Sequence, residues 1–201
     1  MLKAIELTCE RGGRALFRDL SFELRGGELL RVAGENGSGK TSLLRILCGL
    51  LAPAAGEVRW REEPIQSLRE DYAKELVYLG HAPAVKDELT PAENLQITCR
   101  LAGLAVSTKD IQAALARFGL SGNDVPTKKL SQGQRRRAAL ARLALSESVP
   151  LWLLDEPFSA LDAAAARFTE AVIAQHVARG GAAIYTTHQE VGITASRVIE
   201  L

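Results

Sequence analysis

The stretch Leu29-Leu-Arg-Val-Ala-Gly34-Glu-Asn-Gly-Ser-Gly-Lys40-Thr41 decides how the rest of the chain is read. An apolar, strand-like run meets a loop carrying Gly34, Gly37 and Gly39, and the lysine and threonine that close it open a helical run, TSLLRILCGLL. Glycines in this context let backbone N–H groups turn inward around phosphate oxygens, and the new helix adds its positive N-terminal end. Lys40 then reaches the outer phosphates of a nucleoside triphosphate, and Thr41 offers a hydroxyl to Mg²⁺. Gly34, Glu35, Asn36, Gly37, Ser38, Gly39, Lys40 and Thr41 form the expected phosphate loop. The bland alternative, a glycine-rich turn before a helix, does not ask for a strand, a loop, a lysine and a hydroxyl in this order.

On either side of the loop, short apolar or alternating runs read as strands: 4–8, 20–24, 28–33, 57–60, 76–79, 151–154, 182–186 and 197–201. Several are continuously hydrophobic, which suits a sheet covered on both faces. Helical patterns lie between them. One runs from Lys40 to near Pro53, and Thr90-Pro-Ala-Glu93 is a capping box with proline at the first helical position. The pattern 109–118 has Thr108 as its expected cap. Ser131-Gln-Gly-Gln134 is again of capping-box form and leads into RRRAALARLAL, and a last helix runs from Asp162 to Gly180-Gly181. Strand and helix alternate at both ends, while 90–146 is helical without a strand. The expected fold class is α/β: a mostly parallel core sheet, an antiparallel β piece from the first strands, and a helical insert.

Composition narrows the function classes. At 201 residues, 47% hydrophobic and 24% charged with a formal net charge of +1, the chain can build a core and has no field that would attract a polyanion, so no nucleic-acid partner is expected. Cys9, Cys48 and Cys99 show no CxxC or Cys/His metal spacing and read as reduced thiols. The opening MLKAIELTCERGG is too charged for a signal peptide, and no apolar run approaches the ~18–20 residues that span a bilayer, so a membrane link is expected through a partner.

Leu151-Trp-Leu-Leu-Asp155-Glu156-Pro157 carries two acids at the end of what reads as a buried strand. A phosphate loop needs a hard oxygen ligand on a neighbouring strand, and Asp155 supplies it for Mg²⁺. Glu156 is then placed beside the outer phosphate, where a carboxylate can orient or deprotonate water. A solvated turn explains one acid but not two after LWLL.

Together these motifs resemble the ATP-binding cassette ATPases over essentially the whole chain. Leu130-Ser131-Gln132-Gly133-Gln134 is similar to that family's LSGGQ signature, although Gln132 stands where a second glycine is commoner. The resemblance implies a single P-loop ABC-type domain over 1–201, with a core of 1–87 and 149–201 and a helical subdomain of 88–148. It implies ATP and Mg²⁺ as cofactors and a homodimer on ATP binding, in which Ser131, Gln132, Gly133 and Gln134 of one copy face the nucleotide of the other. Ser159-Ala-Leu-Asp162 resembles the D-loop, and His188 the switch histidine that lines up water with Glu156. His176, by contrast, reads as an ordinary helical histidine, and Arg135-Arg136-Arg137 as solvated or paired side chains spread around a helix.

Two positions depart from the general pattern. His81 occupies the place of the family's Q-loop glutamine; it either takes over a hydrogen-bonding role or is a surface histidine in a turn. Arg11 stands near the usual base-stacking aromatic; it either stacks on adenine or is a charged loop residue. The run Gly80-His81-Ala-Pro83-Ala-Val-Lys86-Asp-Glu88-Leu-Thr90-Pro-Ala-Glu93-Asn94-Leu95 resembles the heme-exporter branch, the ATP-binding subunits of the cytochrome c maturation system. That branch implies an ATP hydrolase working with membrane-embedded permease subunits at the cytoplasmic face of a bacterial inner membrane, in support of heme delivery or release of a loaded heme chaperone. No direct heme binding is expected, since no CxxCH occurs. Other readings are the ATPase of another small-substrate exporter, or a soluble ABC ATPase, which would show a long heptad insert or two cassettes. Leu95, Ile97 and Leu101 either pack inward or receive a coupling helix, and Glu88 and Glu93 lie on the side expected to dock the partner.

Overall fold

The computed structural model describes residues 1–122 and 124–201. Gly12 and Gly13 both take positive φ, 58° and 76°, as two-residue hairpin turns require, and so pair β1 (Leu2–Arg11) antiparallel with β2 (Arg14–Leu24). The strands are longer than expected because this glycine pair is a hairpin signal that the hydrophobic pattern alone does not contain. β3 (Leu29–Ala33) leads through the phosphate loop to α1 (Lys40–Leu47), followed by β4 (Ala55–Trp60), β5 (Glu63–Pro64), the short α2 (Ile65–Leu68) and α3 (Glu70–Lys74), and β6 (Leu76–Leu79). The helical region holds α4 (Pro91–Leu101), α5 (Thr108–Arg117) and α6 (Gln132–Leu140). β7 (Leu151–Leu154), α7 (Ala163–Ala178), β8 (Ala182–Thr186) and β9 (Arg197–Glu200) complete the chain.

Two sheets result: an antiparallel one in the order β2-β1-β4-β5, and a parallel one in the order β6-β7-β8-β3-β9. The pleat sorts the parallel strands' side chains into two cores. Leu30, Val32, Leu151, Leu153 and Ile184 pack with α1 and the antiparallel sheet, whereas Leu29, Trp152, Leu154, Ala183 and Tyr185 face the helices. Every side chain of β7 and β8 is buried, the burial that the continuous apolar runs encode. The loops leaving β3, β6, β7 and β8 therefore gather at one edge, beyond the carboxyl ends of adjacent strands.

Several local expectations change. α1 stops at Leu47 rather than near Pro53, because Gly49 takes φ 76° just past its end. The cap of α5 is Ser107, not Thr108: Ser107 accepts from Asp110 N at 3.2 Å while the Asp110 carboxylate takes the Ser107 N–H, and only this register puts an acid three residues on. α6 gives way to a 3₁₀ turn over Ala141–Leu145. Leu95 is buried, but Ile97 and Leu101 of α4 are 45% and 84% exposed. The three cysteines are free thiols.

His176 lies in the core, stacked on Trp152 at 3.8 Å and 4°, and burial lowers its pKa, favouring the neutral ring. On its other side the ring meets Gly181, where an added Cβ would come within 2.2 Å of it. The Trp152 stack leaves the imidazole no room to retreat, so Gly181→Ala should destabilise the fold by about 1–3 kcal/mol in urea unfolding; an unshifted midpoint would mean that the ring moves freely.

Candidate nucleotide site

α1 begins at the phosphate loop, and its N-cap differs from those of the other long helices. α4, α5, α6 and α7 are closed by Thr90, Ser107, Ser131 and Asp162, each accepting a backbone N–H, but α1 is capped by Gly39 at φ 113° with no side-chain bond. Its first N–H groups are left for an external acceptor, the condition for binding an anion at a helix end. Gly39 is also closely overlaid: a Cβ there would lie 3.1 Å from Leu16 and from Phe17, which brings the β1–β2 hairpin over the loop. Lys40 is buried, and its ammonium donates to the carbonyls of Gly34 and Glu35, both at 2.8 Å. A triphosphate would exchange those neutral acceptors for charged ones.

The two acids are held from three directions. Asp155, 1% exposed, follows β7; its Oδ2 accepts from Thr41 Oγ1 on α1 and its Oδ1 from Thr186 Oγ1 on β8, both at 2.8 Å. The same Thr186 oxygen accepts the Glu156 N–H at 2.9 Å. Glu156 sits at φ 51°, a left-handed conformation that non-glycine residues rarely take and that concentrates at functional sites. Its carboxylate, 12% exposed, lies with Oε1 3.3 Å from His188 Nε2 and with Oε2 accepting the His188 N–H at 3.4 Å. The short Oε1–Nε2 approach lacks hydrogen-bond alignment, so Oε1 has no donor among the described residues.

These groups line one cleft of about 730 Å³, a size suited to a nucleotide. Asn36, Gly37, Gly39, Lys40, Thr41, Asp155, Glu156, Ser159 and His188 all reach it, as do Arg11 and His81. Three lining residues were missed by sequence reasoning: Leu16, Ser42 and Gln189, of which only Gln189, beside His188, had a signal in its position. Gly34, Glu35, Ser38, Ser131, Gln132, Gly133, Gln134 and Asp162 do not line it. Ser131 Oγ accepts the Gln134 N–H at 3.2 Å and Gln134 Oε1 the Ser131 N–H at 2.9 Å, so the capping box forms as expected. Asp162 caps α7 by accepting from Ala165 N at 2.8 Å.

Arg136 overturns the expectation of solvated arginines. It is 3% exposed, and its guanidinium donates to the carbonyls of Gly80, His81, Asp155 and Glu156. Arg135 does pair at the surface, with Asp87 at 2.9 Å. A three-arginine run carries no mark of which member turns inward; the packing of α6 decides that.

Residues 17–159 match the family model described as ABC transporter, more than half of the chain. The chain belongs to the ABC transporter family. Among curated members, the cytochrome c biogenesis ATP-binding export protein CcmA of Dechloromonas aromatica (strain RCB) is 53% identical over 202 residues, covering 100% of this chain and 98% of that one. The protein of the same name from Shigella sonnei (strain Ss046) is 45% identical, covering 98% and 94%. The fold of this ABC ATPase is shared by a dimeric bacterial ABC transporter cassette, with TM-score 0.88 at 23% identity over 100% of this chain and 94% of that one. It is shared too by an ATP-binding cassette dimer in a post-hydrolysis state with ADP and phosphate, with TM-score 0.87 at 22% identity and the same coverage.

Within this ABC ATPase the Thr186 hydroxyl is the joint between the two acids. Thr186→Val removes a donor from Asp155 and leaves the Glu156 N–H without its acceptor. It should cost about 1–3 kcal/mol of stability and lower ATP turnover while nucleotide affinity holds; wild-type turnover would show that the joint is dispensable.

Proposed function

We propose that this chain is the ATP-hydrolysing subunit of a cytochrome c biogenesis exporter, in which two copies close head to tail around two ATP molecules and drive membrane-embedded partners. The exporter assignment rests on end-to-end likeness to relatives that carry that name. Heme delivery, or release of a loaded heme chaperone, is the process such a system serves.

The hydrolytic role is carried by one observation: Glu156, with an unbonded carboxylate oxygen, faces His188 in the same cleft as Lys40 and Thr41. The phosphate loop and the open N-terminus of α1 bind the triphosphate, and Lys40 meets its outer charge. Glu156 takes a proton from the attacking water, and His188 fixes the carboxylate and the water relative to each other. Thr41 and Asp155 are the residues that would hold Mg²⁺, which would neutralise charge on the phosphates. Their chemistry fits it: one hydroxyl and one carboxylate are hard oxygen donors already in contact, and the described residues contain no cluster of three or more His, Cys, Asp or Glu that would cage the ion. With only these two protein donors, the ion would take its remaining oxygens from water and phosphate. Arg11 offers a planar cation to the base, and His81 a hydrogen bond at the mouth of the cleft.

Ser131, at the exposed N-terminus of α6, is outside its own chain's cleft and is the group offered to the nucleotide of a second copy. Glu156→Gln tests the reading. It should bind ATP, lose turnover by about 10²-fold or more, and accumulate as an ATP-bound dimer in size-exclusion chromatography; normal turnover would remove Glu156 from the role of base.

The membrane partner is expected on the face formed by 85–89 and α4, where Ile97 and Leu101 are exposed. No helix among the described residues is long and apolar enough to cross a membrane, and in an exporter of the kind its relatives are named for, contact through this face would hold the chain at the cytoplasmic side of the inner membrane. Glu93 does not probe that contact cleanly, because it closes the Thr90 capping box. Glu88 is exposed. Glu88→Lys should abolish co-purification with the membrane subunits and leave ATP binding intact; undiminished co-purification would count against docking here.

A further inference from the structure

We propose that Arg136 is a positioning residue for hydrolysis, holding the backbone of His81, Asp155 and Glu156 in register with the signature helix α6. The proposal rests on the ATPase reading of the cleft.

The guanidinium works as a two-pronged spacer. Nη1 donates to Gly80 O at 3.0 Å and His81 O at 3.2 Å, in the loop after β6; Nη2 donates to Asp155 O at 2.8 Å and Glu156 O at 2.7 Å, in the loop after β7. One rigid plane therefore fixes the separation of two neighbouring strand ends. An ammonium, a single point charge, cannot span them. Arg136 makes no ion pair among the described residues. Burial lowers its pKa, and the nearby charges of Asp155 and then Glu156 act in the opposite sense, so the cation is kept inside by the carbonyls and by the acids it positions.

Glu156 shows why such a clamp is needed. Its φ of 51° persists only if the surroundings over-determine it. Its N–H is fixed by Thr186, and its carbonyl takes both Arg136 and the Ser159 N–H, the latter at 3.1 Å. Removing Arg136 leaves the carbonyl with the Ser159 N–H alone, and the residue can relax toward ordinary backbone, swinging its carboxylate away from His188. Gly133, one helical turn before Arg136, lies on the same face of α6, and a Cβ there would come within 2.8 Å of Ala160 O. The face that carries Gly133 and Arg136 is thus seated on the 155–160 loop. A displacement of the signature helix reaches the base of the same chain through Arg136.

Steady-state hydrolysis and nucleotide binding of Arg136→Lys and Arg136→Gln test this. Both should lower kcat by about 100-fold, the scale of a small misplacement of a reacting group. ATP affinity, read with a fluorescent ATP analogue, should stay within about 3-fold, and Arg135→Lys should keep wild-type kcat. In a Glu156→Gln background, Arg136→Lys should reduce the ATP-bound dimer, since α6 is no longer seated. A kcat near wild type in Arg136→Lys, or equal losses of kcat and ATP affinity that track a lower melting temperature, would overturn the proposal. A measurement on the unaltered chain does not depend on the variants folding. Arginine-selective ¹⁵N spectra should show hindered Arg136 Nη groups that shift on ATP binding, and a freely rotating guanidinium would overturn the proposal. If Glu156→Gln alone neither slows turnover nor accumulates a dimer, the ATPase reading fails first and takes this one with it.

Discussion

The carboxylate of Asp155 is the constraint on which the site depends. It is almost wholly buried and is satisfied by two hydroxyls, Thr41 from the first turn of α1 and Thr186 from the end of β8. A buried charge without such donors would be costly, so the three elements must meet at this point or the acid cannot sit there. Because Thr41 belongs to the helix whose open N–H groups await phosphate, the same bonds set the distance between the phosphate loop and the acid pair. The register of β3 against β8 and of β7 against β8, both parallel, brings these ends level.

Two helix N-termini divide the work. That of α1 is left uncapped by glycine, so its dipole and N–H groups are free for a ligand. That of α6 is closed by its own capping box, which holds Ser131 at the surface instead of aiming it into the cleft of its own chain. An open end suits an anion in the cleft that it lines, whereas a capped, exposed end leaves Ser131 facing outward. Arg136 connects α6 back to the acids, so the two ends are not mechanically independent.

Much of this was legible beforehand. The glycine loop, the two acids and the capping boxes of α4 and α6 are local patterns whose chemistry asks for particular residues at fixed spacing, and the structure brings the loop and the acids to one cleft; His188, in the same cleft, was picked out by the family resemblance and not by spacing. The cap of α5 was misplaced by one residue because Ser107 and Thr108 are both hydroxyl residues; only the acid at Asp110 separates them. Arg136 was invisible for a different reason. Its partners are carbonyls from residues 19 to 56 positions away, and a carbonyl has no side-chain identity to betray it.

The sequence by itself determined the kind of fold and the chemical inventory: alternating strands and helices, a glycine loop between a strand and a helix, a hydroxyl and a carboxylate of the hard-oxygen kind, and a second carboxylate and an imidazole. These follow from residue type and short-range spacing, because capping, glycine turns and pleat alternation are decided within a few residues. The tertiary structure decided which of three arginines turns inward, that Glu156 is held in a strained conformation, and that the signature segment lies outside its own cleft. Those outcomes are set by the register of parallel strands and the seating of a helix on a distant loop, and neither is encoded by any one stretch of chain.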